Sequence, residues 1–208
     1  MKHAAAERAQ ATPSPAATPP IARLTARISA YLADSIILLA FILAFFVIGG
    51  AVLLFSSDLG SNDAPDAAFS AFLAILLGGP LLSWSAFNLA LMRWRGQSMG
   101  MYIIGIRAVA EGGAPLATRT VLLRWFGLHP LLFHPFLLPI SALLAWALLA
   151  PYSITVTFSR VIFVITVALV LLCVVAPAAS LLAMAIDSNR RALHDRLART
   201  LVVHIDQP

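Results

Sequence analysis

Charged side chains are scarce in this sequence, and acidic side chains are the scarcest. Nine Asp and Glu residues stand against 14 Lys and Arg in 208 residues, and charged residues make up 11% of the chain. Ordinary soluble domains contain about a quarter charged residues. Because 61% of this chain is hydrophobic, the composition excludes an ordinary soluble domain. It predicts an integral membrane protein surrounded by the lipid bilayer.

Cysteine is nearly absent, and the usual metal-binding spacings are missing. The single Cys173 excludes a disulfide framework and a CxxC metal or redox motif. His129 and His134 are five residues apart and each precedes a proline, so they do not form the i, i+4 pair of a helical metal site. The arginines lie at the ends of apolar runs, not among aromatic residues on a basic surface. We therefore expect no metal, no cofactor and no nucleic-acid partner.

One short motif is typical of a hydrolase but lacks the surrounding pattern. Gly96-Gln-Ser98-Met-Gly100 matches GxSxG, yet a nucleophile elbow requires a strand, a sharp turn and a helix on an α/β sheet. This serine instead follows a long apolar run, and no series of βαβ units is predicted. No glycine-rich stretch continues as a phosphate-binding loop. We expect the chain not to be an enzyme.

Long apolar runs define the architecture. The first 20 residues are rich in Ala and Pro and predict a disordered tail, whereas residues 21–208 form a membrane domain. Each apolar run is long enough for a helix that crosses the hydrocarbon core. The sequence predicts an all-α membrane protein, a four-span helical bundle with spans at about 28–55, 67–92, 131–150 and 161–186.

The arginines are distributed asymmetrically along the chain. Residues 93–124 carry five arginines against one acid, and four more arginines follow Asp187, whereas residues 56–66 carry three acids and no base. By the positive-inside rule, both termini are cytoplasmic in a multi-pass protein of the cell inner membrane. The segment between spans two and three is then a cytoplasmic amphipathic or extended piece on the membrane surface. Within span two, Gly78-Gly79-Pro80 predicts a kink or break.

The most informative charges lie at the start of the first span. Arg27, Ala30 and Asp34 fall on one helical face that can receive another helix. An acid at membrane depth costs several kcal/mol unless it is paired, so we predict an ion pair between Asp34 and either Arg27 or Arg124. Asn88, near the end of span two, is expected to hydrogen-bond a neighbouring helix.

Four ordered motifs give the chain a resemblance to the RDD family of membrane proteins, which is named for one arginine and two aspartates. They are Arg27-x2-Ala30-x3-Asp34, Gly96-Gln-Ser-x-Gly100 with Gly105-Ile-Arg-Ala-Val, Leu123-Arg124, and Ala192-Leu-His194-Asp195-x3-Arg-Thr200. The resemblance covers residues 21–205 and implies that the named residues are Arg27, Asp34 and Asp195. It departs at Met101, where the family commonly has a basic residue. The resemblance also implies cation/proton antiport, which has been proposed for some members.

Two functions remain open at the level of sequence. In the first, the protein is a monovalent cation/proton antiporter, with Asp34 exchanging protons and cations. In the second, it is a non-transporting scaffold or assembly partner whose Arg/Asp pairs only fix geometry, acting as a homo-oligomer or with another membrane protein. The candidate residues for transport or ion pairing are Arg27, Asp34, Arg124 and Asp195, with Asn88, Asp187 and His194 as secondary candidates.

Overall fold

The computed structural model describes residues 19–63, 65–137 and 156–205, with the side chains of 156–159 excepted. This part of the chain is mostly helical, and three of its helices are long and apolar enough to cross a membrane. In chain order the elements are α1 (Leu24–Ser56), a 3₁₀ turn (Asp58–Gly60), α2 (Asp66–Arg95), α3 (Met99–Ile104), β1 (Ile106–Ala110), α4 (Thr118–Phe126), α5 (Val156–Ile186), α6 (Leu193–Ala198) and β2 (Thr200–His204).

Helix α1 confirms the first predicted span but begins at Leu24. Arg27, Ala30, Asp34 and Leu38 are buried on one face, as the helical spacing predicts. Most large apolar side chains on its other faces are exposed. An apolar surface of this extent is typical of a helix surrounded by lipid.

Helix α2 confirms the second span and is continuous through Pro80, so the predicted break does not occur. Near the proline, Ser83 Oγ donates a hydrogen bond to the Gly79 carbonyl oxygen at 2.5 Å. The helix ends at Gly96, whose φ of 69° lies in the left-handed region. A side chain at Gly96 would also meet the carbonyl oxygen of Ala108.

Two short strands correct the prediction of an all-α fold. Strands β1 and β2 pair antiparallel, with Ile106 opposite His204 and Ala110 opposite Thr200. An isolated bridge joins Ile21 to Val203. Part of the amphipathic or extended segment predicted between spans two and three is therefore β1, and its partner lies near the end of the sequence. Together with α3, α4 and α6, these strands form what we call the end layer, residues 96–126 and 187–204.

The end layer contacts the N-terminal part of α1. The Ala22 amide donates to the Val202 carbonyl oxygen at 2.8 Å, and Arg27 and Asp34 both reach end-layer residues. Arg27, Arg124, Asp34 and Asp195 thus lie together at one end of the helices. That this end faces the cytoplasm stays a prediction from the arginine asymmetry.

The third predicted span lies mostly outside the described residues. Residues 131–137, at its expected start, form turns, and residues 138–150 are not described. The turns pack on the neighbouring helices, since Trp84 Nε1 donates to the Leu131 carbonyl oxygen at 3.3 Å and Ser35 Oγ lies 2.9 Å from His134 Nε2. The four-span count therefore stays a prediction, and the tail at 1–18 also lies outside the described residues.

Candidate functional site

Asp195 joins two buried arginines. Its Oδ2 lies 2.6 Å from Arg27 Nη1, and its Oδ1 lies 2.9 Å from Arg124 Nη1. Thr200 Oγ1 also donates to Oδ1 at 3.2 Å, and the Ala192 amide donates to Oδ2 at 3.2 Å. We call Arg27, Arg124 and Asp195 the arginine lock, because they connect α1, α4 and α6.

The lock is almost entirely removed from solvent. The Asp195 side chain is fully buried, and those of Arg27 and Arg124 are 7% and 3% exposed. Burial alone would raise the pKa of Asp195, but Arg124 and Arg27 hold it well below the usual range of a carboxyl group. Asp195 is therefore ionised at neutral pH, with two cations against one anion in the lock.

Two histidines complete the polar cluster beside the lock. His194 Nε2 lies 3.5 Å from Asp195 Oδ1, and the His194 and His129 rings are 4.4 Å apart. Burial, only partly opposed by Asp195 and reinforced by the arginines, lowers the pKa of His194 to about 3. Burial and the neighbouring His194 also hold the pKa of His129 well below its ordinary value. Both rings are neutral at physiological pH, and the lock keeps its net positive charge.

Asp34 is not a partner of either arginine, and the predicted Asp34 ion pair is wrong. Instead, Ser98 Oγ donates to Asp34 Oδ2 at 2.5 Å, and the Gly100 amide donates to Asp34 Oδ1 at 2.7 Å. Both arginines are drawn to Asp195, which approaches from the opposite end of the sequence. Within the described part of the chain, no Lys or Arg side chain lies within ion-pair distance of Asp34.

The GxSxG-like segment has a structural role in this contact. Ser98 caps the N-terminus of α3, accepting from the Met101 amide at 3.2 Å while donating to Asp34. Gly100 lies so close to α1 that a Cβ there would meet the Ala30 carbonyl oxygen and the Asp34 carboxylate. The face of α1 predicted to receive another helix therefore receives α3.

Asp34 and the two arginines of the lock, Arg27 and Arg124, line one cavity of about 160 Å³. Its wall includes residues of α1, α5, α6, β2 and the turn around His129 and Pro130. Most of the wall is apolar, with Leu131, Leu181 and Met184 among its members. The cavity thus places one carboxylate and two guanidiniums against a largely hydrophobic space.

Several buried polar atoms of the wall have no hydrogen-bond partner among the described residues. They are Nε and Nη2 of Arg27, Nε of Arg124, Oγ of Ser180 and Nδ1 of His194. Buried polar atoms are normally satisfied, so this part of the wall is suited to a polar ligand.

Of the secondary candidates, His194 lines the cavity beside the lock, whereas Asn88 and Asp187 do not line it. Asn88 is fully buried, and its Nδ2 donates to the Trp84 carbonyl oxygen at 3.0 Å within α2; among the described residues it forms no hydrogen bond to a neighbouring helix, and the predicted bond stays a prediction. Asp187 pairs with Arg191, whose Nε is 3.1 Å from Asp187 Oδ2. Hydrogen bonds from Arg191 lower the pKa of Asp187, and neither residue belongs to the lock.

Sequence reasoning missed four residues of the site as participants. Ser98 and Gly100 were visible as a glycine-rich motif, although its link to Asp34 was not. Thr200 is the last residue of the fourth motif, but its contact with Asp195 could not be read from the sequence. Ser180 has no signal in the sequence, because a lone serine in a membrane helix most often bonds within its own bundle. The described residues contain no group of three or more His, Cys, Asp or Glu that could hold a metal ion.

A protein family accounts for this arrangement of elements. The family model described as the RDD family matches residues 21–199. The match extends from the bridge residue Ile21 through α6 and so includes every member of the lock as well as Asp34. No curated protein and no solved structure matches the chain.

Proposed function

Because the chain belongs to the RDD family of membrane proteins, we propose that it exchanges a monovalent cation for protons, with Asp34 as the ion-carrying carboxylate. The observation that carries this proposal is the environment of Asp34. The residue is 2% exposed, lines the cavity and has no arginine partner in the described chain. A carboxylate whose charge is already balanced by an arginine would bind a proton or a cation only weakly.

The chemistry of a buried carboxylate supports this choice. Its charge must be compensated in a low-dielectric environment, either by a proton or by a hard cation bound through its oxygens. The net positive charge of the nearby lock opposes a divalent ion about twice as strongly as a monovalent one. Protons and monovalent cations are therefore the natural competitors for Asp34.

Asp195 has a different role in the proposal. Its two arginines already compensate its charge, so it shapes the cytoplasmic entrance to the cavity and carries no ion. No catalytic step is part of the proposed function. In this proposal the Ser98 hydroxyl only donates a hydrogen bond to Asp34. Ion exchange requires no cofactor.

The test is a transport assay on purified protein in vesicles that contain a pH-sensitive dye. Sodium, lithium or potassium added outside should change the internal pH with wild-type protein, and folded Asp34→Asn should abolish the response. Asp63→Asn, the same substitution at an exposed acid between α1 and α2, is the matched control and should transport normally. Vesicles that respond to an added ionophore but not to any cation through the wild-type protein would contradict the proposal.

A scaffold function is the second candidate, favoured by the arginine lock itself. The lock joins three elements that are far apart in sequence, which is how a surface for assembly would be kept rigid. A scaffold requires a binding partner, which is either a second copy of this chain or another membrane protein. Light scattering of purified protein should then show an oligomer, or a defined partner should co-purify from membranes and be lost in Asp195→Asn but not in Asp63→Asn. A monomer without such a partner would contradict the scaffold.

A further inference from the structure

One edge of the Arg27 guanidinium faces no acceptor in the part of the chain that the structure describes. Nη1 contacts Asp195 at 2.6 Å and Met184 Sδ at 3.5 Å, whereas Nε and Nη2 are buried without a partner among the described residues. Nε–H and Nη2–H form the side of the guanidinium that binds two oxygens of one anion in parallel. The side chain is 7% exposed, so water in bulk does not satisfy this edge.

A hydroxyl group lies on the same wall. Ser180 is 2% exposed, its Oγ has no partner in the described chain, and it lines the cavity with Arg27. Ser180 precedes Met184 by one helical turn of α5, so the two side chains lie on one face. Since Met184 contacts Arg27, that face of α5 is directed toward the guanidinium.

From these groups we propose that the cavity binds an anionic phosphate group, with the free edge of Arg27 and the hydroxyl of Ser180 donating to its oxygens. The lock carries two guanidiniums and one carboxylate, so the lock itself has one positive charge that a ligand can balance. Asp34, the carboxylate on the same wall, has its own donors in Ser98 and Gly100 and does not occupy the free edge of Arg27. A phosphodiester carries one negative charge. His194 directs Nε2 toward Asp195, which leaves Nδ1 as an acceptor for a hydroxyl on the ligand.

The position of the cavity favours a phospholipid headgroup as the source of the phosphate. The wall includes Ile28 of α1 and Leu181 of α5, two helices that are candidate membrane spans, and both residues are partly open to the surroundings of the protein. A lipid can therefore approach from the bilayer with its chains against apolar surface. Free phosphate shares the same chemistry and is the alternative source.

The experiment measures binding by the purified full chain in detergent. Short-chain phosphatidylglycerol, phosphatidylcholine of equal chain length and inorganic phosphate are titrated separately, and bound lipid is counted by native mass spectrometry. We expect saturable binding of one phosphatidylglycerol per chain, at a Kd about tenfold below that of the zwitterionic lipid. Inorganic phosphate that binds as tightly as phosphatidylglycerol would assign the site to the free ion.

Two substitutions locate the site. Ser180→Ala removes one donor without touching the lock and should raise the Kd about tenfold. Arg27→Lys keeps the charge but loses the two-atom edge, and should weaken binding at least as much. Thr166→Ala is the matched control, because Thr166 is a buried α5 hydroxyl that donates to Ile162 and does not line the cavity.

Two results would overturn the site: equal affinity for the anionic and zwitterionic lipids with no phosphate binding, or an unchanged Kd in folded Ser180→Ala. The proposal is separate from ion exchange at Asp34, because it is tested by binding alone. Loss of transport in Asp34→Asn with intact lipid binding would not contradict the phosphate-binding proposal.

Discussion

Two arginines, Arg27 and Arg124, lie near the acids at this end of the protein, and both form an ion pair with Asp195. Removing one member of a buried ion pair leaves an uncompensated charge and typically costs about 3–5 kcal/mol. Asp195 also accepts hydrogen bonds from Thr200 and the Ala192 amide, so its loss leaves several donors unsatisfied. Asp34 keeps its own donors, Ser98 and Gly100, whether or not Arg27 is present.

We therefore expect two double-mutant cycles with Arg27 to differ. Arg27→Met and Asp195→Asn should be strongly non-additive, with a coupling free energy above about 1 kcal/mol, because they remove the same contact. Arg27→Met and Asp34→Asn should add to within about 0.5 kcal/mol. The measurement is unfolding of each purified variant in detergent. Coupling to Asp34 but not to Asp195 would restore the ion pair that the structure contradicts.

The neutral histidines predict a dependence of stability on pH. The pKa of His194 is about 3 in the folded protein and 6.5 in its unperturbed state. Between these values the unfolded chain binds the additional proton, so stability is full above about pH 6.5 and falls as the pH falls toward 3. His129 adds to the same trend, and the groups facing His194 are His129, Asp195, Arg124 and Arg27.

The melting temperature in detergent should decrease when the pH is lowered from about 7 to about 4. His194→Gln, which cannot take up a proton, should show a shallower decrease. His204→Gln is the matched control, since His204 lies in β2 away from the lock, and should keep the wild-type slope. A His194→Gln profile parallel to that of wild type would exclude His194 as a cause.

At the scale of elements, the contact between α3 and α1 depends on the absence of a side chain at residue 100. A Cβ at Gly100 would collide with the backbone oxygen of Ala30 and lie 2.8 Å from the Asp34 carboxylate. Backbone cannot move aside as a flexible side chain can, so α3 would have to shift away. The shift would also lengthen the hydrogen bond from the Gly100 amide to Asp34.

Gly100→Ala should therefore destabilise the protein by about 1–3 kcal/mol, the usual cost of overpacking. The matched control is Gly112→Ala, where a Cβ meets no atom within 4 Å; that change should stay within about 0.5 kcal/mol of wild type. Thermal unfolding in detergent measures both. Equal melting temperatures for the two variants would mean that α3 is not packed as closely on α1 as described.

The elements differ in how far local sequence determines them. Helices α1 and α2 follow from uninterrupted apolar runs, and Gly96 marks the end of α2 by its left-handed conformation. Pro80 misled the prediction, because a proline in a membrane helix is tolerated when neighbouring groups satisfy the backbone. Strand β2 could not be foreseen from its five residues, since its stability depends on pairing with β1, some 90 residues earlier in the chain.

For the whole molecule, composition and arginine distribution predicted a membrane protein whose arginine-rich segments lie on one side. Which arginine pairs with which aspartate was not predictable from the sequence. Arg27 and Asp34 are close in sequence, whereas Arg27 and Asp195 are 168 residues apart, and spacing on one helix says nothing about an element that folds back from the far end of the chain. The cavity also required the structure, because its wall combines α1, α5, α6 and β2.

The orientation of the molecule in the membrane is the last prediction. The arginine asymmetry places the end layer in the cytoplasm and the 3₁₀ turn outside. Serine-to-cysteine changes at exposed Ser61 and Ser188, in a Cys173→Ala background, report the two sides. An impermeant thiol reagent on intact cells should label position 61 and leave 188 unlabelled until the cells are permeabilised.

Ser153→Cys tests the four-span count, since a crossing between α4 and α5 would make it react like position 61. Labelling of 188 in intact cells would reverse the orientation. Protection of 153 together with 188 would mean that neither the predicted third span nor α5 crosses the membrane.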